Sequence, residues 1–215
     1  QTAKFKKMTE EPVDKLILEL AIPTIISMLI TSIYNMADTY FVGRIGTSAT
    51  GAVGVIFPLM TLIQAVGFLF GHGSGNYISR QLGARKTKEC NEMASTGFFW
   101  SLAGGFVIMA VGFILGDGLA LMLGATETIL LYASAYLFYI LFGAPIMTAA
   151  FTLNNQLRFQ GNAFYGMIGI MTGGILNIVL DPIFIFVFDF GVAGAAMATT
   201  LSQLISLIIL IVFTN

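Results

Sequence analysis

Six long apolar stretches separated by short polar breaks set the character of this chain. They run over about residues 16–42, 49–78, 93–115, 132–153, 163–188 and 191–213. A helix needs about 20 apolar residues, at 1.5 Å each, to cross a hydrocarbon layer about 30 Å thick. Each stretch meets that length. The breaks are rich in glycine and charge, as turns require: Gly43-Arg44-Ile45-Gly46, residues 83–92, Gly116-Asp117-Gly118, residues 158–162, and Asp189. Residues 119–131 are apolar but too short to span and are expected at the interface. The pattern predicts an all-α membrane protein, a bundle of six transmembrane helices over residues 15–215 behind a polar N-terminal segment, residues 1–14.

Composition agrees with that solvent. Hydrophobic residues make up 57% of the chain and charged residues 10%, with a mean hydropathy of +0.88. A soluble domain averages about 25% charged residues, because its surface must face water. The net charge of −1 leaves no basic excess to meet phosphates, so nucleic acid is not an expected partner. Cys90 is the single cysteine and reads as a free thiol in the polar loop after the second span. The first span is too long for a signal-peptide core, so no cleavable signal is expected. No phosphate-binding GxxxxGK[ST] loop, nucleophile–base arrangement or metal-ligand cluster is legible, so enzyme activity and a resident cofactor are not expected.

Charge placement orients the bundle. Lys4, Lys6, Lys7 and Lys15 precede the first span, Arg80, Arg85, Lys86 and Lys88 follow the second, and Arg158 follows the fourth; Arg44 alone lies on the other side. Positive charge is retained in the cytoplasm, so the N-terminus of this multi-pass protein is expected there, in the cell membrane.

The polar residues at membrane depth carry the chemistry. Asp38 in the first span and Asp181 in the fifth are the two acids well inside. An intramembrane carboxylate is expensive and reads by default as functional; a structural, hydrogen-bonded acid is the plainer alternative. Both lie about 8–10 Å below the outer surface, and Thr199, descending in the sixth span, about 12 Å below it. Asn177 shares a helix face with Asp181, and Tyr34 with Asp38, each four residues apart. Pro182 frees the carbonyl of Ile178 beside the same site. Such oxygen donors suit Na⁺ or a proton relay rather than a soft metal.

Other candidates have ordinary readings beside the functional one. Tyr34 and Tyr136 sit where tyrosine anchors at the outer interface, or else meet substrate. Asn154, Asn155 and Gln156 close the fourth span and read as capping or loop residues, with Asn154 also carried as a substrate-facing candidate. His72 reads as a packed or interfacial histidine. Pro23, Pro58, Pro145 and Pro182 kink helices or mark a moving, cavity-lined bundle. Gly71, Gly73 and Gly75 in the second span, and Gly191, Gly194, Ala195, Ala196 and Ala198 in the sixth, form small faces for close helix approach.

Several of these segments together resemble the multidrug and toxic compound extrusion (MATE) transporters. They are Tyr34-Asn35-Met36-Ala37-Asp38 with Phe41-Val42-Gly43, Ile78-Ser79-Arg80-Gln81-Leu82-Gly83-Ala84, Leu176-Asn177-Ile178-Val179-Leu180-Asp181-Pro182, and Gly191-Val192-Ala193-Gly194-Ala195-Ala196. The resemblance implies a secondary active transporter that exports organic cations, amphipathic drugs or metabolites in exchange for Na⁺ or H⁺. It implies a cation site in this N-terminal lobe at Asp38, Asn177, Asp181 and Thr199, with Thr200 as the fallback threonine, and Tyr34 and Tyr136 nearby. Such a machine uses about twelve spans. The resemblance therefore implies a second six-helix lobe, in the same longer chain or in a dimer partner. Two alternatives stay open from the residues: a lipid-linked oligosaccharide flippase of the same superfamily, and a membrane scaffold subunit without transport.

Overall fold

A computed structural model describes residues 12–214. They form α1 (Val13–Gly43), α2 (Thr47–Gly83), α3 (Thr87–Leu115), a short α4 (Asp117–Met122), α5 (Glu127–Phe159), α6 (Ala163–Pro182), a π-helical segment Ile183–Val187 continuing α6, and α7 (Gly191–Thr214). Six of these helices are long and apolar enough to cross a membrane. Lys4, Lys6 and Lys7, and the polar segment up to residue 11, lie outside the described residues.

The helices overrun the apolar stretches because backbone hydrogen bonding continues into polar turns once nucleated. Residues 119–131 do not form one interfacial segment. Helix α4 takes their first part, and α5 has begun by Glu127. Cys90 is not in a loop either: α3 starts at Thr87, so the thiol is buried on its first turn, 3.6 Å from the Ile78 carbonyl oxygen. Pro23, Pro58 and Pro145 sit inside helices that stay continuous. Only Pro182 coincides with a change of helix type, the π-helical segment that follows it.

Helix α5 is the centre of the bundle, with α2 and α3 on one side and α6 and α7 on the other; α1 packs chiefly on α6. The reason is visible in its polar side chains, which satisfy themselves on every neighbour. Thr148 donates to the Ser101 carbonyl of α3 at 2.9 Å, and Thr152 to the Gly67 carbonyl of α2 at 3.0 Å. Asn154 donates to the Gly166 carbonyl of α6 at 2.8 Å. Gln156 donates to Ser74 Oγ of α2 at 2.9 Å and to the Ala94 carbonyl of α3 at 3.1 Å. In return α5 accepts a hydrogen bond from α7, Thr200 Oγ1 to the Tyr139 carbonyl, at 3.0 Å. Where lipid offers no competing water, such bonds and close van der Waals packing hold helices together. Asn154, Asn155 and Gln156 are therefore buried helical residues, not caps or loop.

Glycines set the distances. Gly67, Gly71 and Gly75 of α2 face Phe151, Asn155 and Phe159 of α5, and an added Cβ would come within 2.7 Å of Phe151 and 2.8 Å of Asn155. Gly73 has open space around it and takes no part in that seam. On α7, Gly194 lies against the backbone of Phe184, and Ala195, Ala196 and Ala198 are buried, whereas Gly191 is open and supplies a positive φ at the helix start.

Candidate functional site

Helix α6 is the strut on which the site is built. Its buried glycines let three helices approach at once: Gly166 lies against Asn154 of α5, Gly169 against Leu210 of α7, Gly173 against Ser206 of α7, and Gly174 against Ile30 and Tyr34 of α1. One turn beyond this stretch, α6 carries Asn177 and then Asp181. The close approach thus brings Asp38 of α1 and Thr199 of α7 to the same level.

All four residues are buried: Asp181 has no exposed surface, Asn177 2%, Thr199 6% and Asp38 9%. The Asn177 amide donates to Asp181 Oδ1 at 3.2 Å and to Thr199 Oγ1 at 3.2 Å. Asp38 and Asp181 lie within electrostatic reach of each other and of the Tyr136 hydroxyl. Among the described residues Asp38 Oδ1, Asp181 Oδ2 and Asn177 Oδ1 have no hydrogen-bond partner although buried. A buried polar atom without a partner costs free energy, and here three of the six such atoms among the described residues belong to this one group of side chains. All three are acceptors. A cation or a proton donor would satisfy them, and carboxylate, amide and hydroxyl oxygens are of the kind that suits a hard ion such as Na⁺.

Thr200 belongs to a different face, held on the Tyr139 carbonyl. Tyr136 is fully buried, with its hydroxyl 3.6 Å from Met60 Sδ, and so is not an interfacial anchor. Tyr34 is half-buried and, with Asn154, lines a cleft between α1, α5, α6 and α7. Thr31, Gln203 and Ser206 complete its polar wall, and Phe151 and Ile170 its apolar one. The cleft is narrow, with room for a group about the size of a water molecule.

Sequence reading passed over Ser202, Gln203 and Ser206, although their signal was present. They follow Thr199 at three-, four- and seven-residue steps, the spacing of one helical face, in an otherwise apolar span. It also passed over the glycines of α6, whose meaning depends on which helices surround them.

Comparison with known proteins agrees with this architecture. The sequence model of the MatE family matches residues 23–183. Multidrug export protein MepA of Staphylococcus aureus (strain MRSA252) is 33% identical over 205 residues, covering 95% of this chain and 46% of that protein. MepA of Staphylococcus saprophyticus is 32% identical over 197 residues, covering 91% of this chain and 44% of that protein. A MOP superfamily transporter from Pyrococcus furiosus, described as having reversed polarity in its binding pocket, superposes with a TM-score of 0.91 at 33% identity over 97% of this chain and 46% of its own. A MATE crystal structure in complex with MaD3S has a TM-score of 0.91 at 33% identity, over 97% of this chain and 47% of its own. The chain thus spans about half the length of the relatives it matches.

Proposed function

The chain belongs to the MATE family of transporters, and from that premise we propose that it is one lobe of a cation-coupled exporter of organic cations or amphipathic drugs. The observation that carries this reading is the convergence of three unpartnered buried acceptors, on Asp38, Asn177 and Asp181, beside Thr199. In this reading Na⁺ or H⁺ binds there, and its release reorganises α1, which packs mainly on α6 and is the least embedded of the six long helices.

The cleft below the acids, with Tyr34 and Asn154 in its wall, is where an expelled compound competes for the same helices. It admits a drug-sized molecule only when α1 moves outward. Tyr136, fully buried, lines the outer side of the site in this reading. The lobe works with a second six-helix lobe, as in transporters built from paired repeats. Its lysine- and arginine-rich end, which carries Arg80, Arg85, Lys86, Lys88 and Arg158, faces the cytoplasm.

The decisive test is coupled efflux by the assembled transporter carrying Asp38→Asn or Asp181→Asn. Each is expected to abolish ion-driven export while leaving the protein in the membrane. Undiminished coupled efflux in both variants would overturn the reading.

A further inference from the structure

Between the acid site and the cleft runs a polar column that ion binding alone leaves without a role. On α7, Ser202 lies one turn after Thr199 and Ser206 one turn further, so the three hydroxyls share one face. Thr199 belongs to the acid site, where it accepts from Asn177. Ser206 belongs to the wall of the cleft. The same step recurs on the other helices: Thr31 comes seven residues before Asp38 on α1, and Ile170 seven before Asn177 on α6. The cleft therefore lies about 10 Å along the bundle from the acids, with Ser202 between them.

Two features mark this column as more than packing. The first is Ser202 itself, 1% exposed, whose Oγ has no hydrogen-bond partner among the described residues. With Asp38 Oδ1, Asp181 Oδ2 and Asn177 Oδ1 it makes up four of the six such atoms. Opposite Ser202 and Ser206, α6 presents Gly173, so no side chain of that residue stands between the two serines. The second is the cleft, whose volume of about 10 Å³ is about what one water molecule needs. Asn154 commits its amide nitrogen to the Gly166 carbonyl at 2.8 Å, and Ser206 its hydroxyl proton to the Gly169 carbonyl at 2.9 Å. The Asn154 carbonyl and the Ser206 oxygen remain as acceptors, and the Gln203 amide supplies a donor. Those are partners enough to hold a water.

The width of the column decides what can move along it. A metal ion would have to carry several oxygen ligands through a space sized for one water. A proton needs only a file of groups that both donate and accept, as hydroxyls and water do. Tyr34 and Tyr136 are the other ionisable side chains within electrostatic reach of the acids. Helix α7 carries none, so it sets no fixed positive charge in a proton's way.

We propose that the cleft holds a resident water, and that Thr199, Ser202 and this water form a relay through which Asp38 and Asp181 exchange protons. It deepens the ion-site reading, on which it rests, by naming the ion. A carboxyl proton passes to one hydroxyl while that hydroxyl's own proton passes to the next group, so each hydroxyl ends as it began. The water's surplus proton goes to the solvent that enters when α1 moves outward.

The test uses the assembled transporter in proteoliposomes, with ethidium efflux driven by a proton gradient. Ser202→Ala is expected to lower the maximal rate about five- to tenfold, the worth of one hydrogen bond, with the proton concentration at half-maximal rate unchanged. The slowing should carry a larger solvent isotope effect in D₂O, which a packing defect would not. Ser202→Thr, which keeps the hydroxyl, is expected to restore the rate. Leu210 and Leu157 are both 0% exposed, but of the two Leu210 lines the cleft. X-ray hydroxyl-radical footprinting, which marks side chains beside bound water, is therefore expected to oxidise Leu210 and spare Leu157. A wild-type rate in Ser202→Ala, a Leu210 as unmarked as Leu157, or export that follows Na⁺ and ignores the proton gradient would overturn the proposal. If Asp38→Asn and Asp181→Asn abolish coupling in the same assay, that failure leaves the ion site standing; if they do not, both readings fall.

Discussion

Asn177 holds Asp181 from one turn away on the same helix: its amide nitrogen lies 3.2 Å from Asp181 Oδ1 and, in the same pose, 3.2 Å from Thr199 Oγ1. One donor thus orients a carboxylate and a hydroxyl on two helices, and leaves its own carbonyl oxygen without a hydrogen-bond partner. Replacing it by leucine removes that orientation and, in the proposed site, one oxygen donor together. Since hydrogen bonds to charged groups contribute about 1.5–3 kcal/mol, Asn177→Leu is expected to weaken the coupling ion's apparent affinity by at least about tenfold. The dependence of efflux on Na⁺ and proton concentration measures it.

If Na⁺ is the ion, it binds the folded lobe and not the unfolded chain, so it stabilises by mass action. At one hundred times its Kd the gain is about 2.7 kcal/mol. The thermal unfolding temperature should therefore rise with NaCl and not with choline chloride at equal ionic strength. Asp181→Asn and Asp38→Asn should remove the rise. A wild-type protein indifferent to Na⁺ but still driven by a proton gradient would assign the site to protons.

The two adjacent threonines of α7 should separate cleanly. Thr199→Val removes a hydroxyl from the acid site and is expected to weaken ion coupling with little effect on stability. Thr200→Val removes the bond to the Tyr139 carbonyl and is expected to cost about 0.6–1.7 kcal/mol with ion coupling intact. Unfolding in mixed micelles and ion-dependent efflux report the two effects independently.

Glycines of similar appearance should differ sharply in tolerance. A side chain at Gly105 would overlap the backbone of Pro145, which cannot yield, so Gly105→Leu is expected to prevent stable packing of α3 on α5. Gly73 has nothing nearby, and Gly73→Ala is expected to be neutral or to stabilise by up to about 1 kcal/mol through helix propensity. Yield of monodisperse protein after detergent extraction distinguishes them.

Cys90 offers a check on the α2–α3 corner. Only 5% of its surface is exposed, so maleimide labelling should be slow in the folded protein and fast after denaturation. Rapid labelling of the native protein would place the residue in an exposed loop.

Much of this architecture could be read from the chain because a membrane imposes a simple rule. Backbone polar groups must be satisfied within each segment, so an apolar run of sufficient length becomes a helix. That rule determined the six helices, and the cost of burying charge singles out Asp38 and Asp181 from the sequence alone. Helical spacing paired Asn177 with Asp181. Nothing in the chain, however, states which helix lies beside which. Only the tertiary structure decided that α5 is central, which turned Asn154 and Gln156 from helix-end residues into buried cross-links, drew Cys90 into the core and buried Tyr136 fully. It also gave the glycines of α6 their meaning, by showing that α1, α5 and α7 all close on them. The physical reason is that hydrophobicity is nearly uniform around these helices and so carries no information about neighbours. Small residues and hydrogen-bonding side chains choose the partners, and their choices exist only once the helices have met.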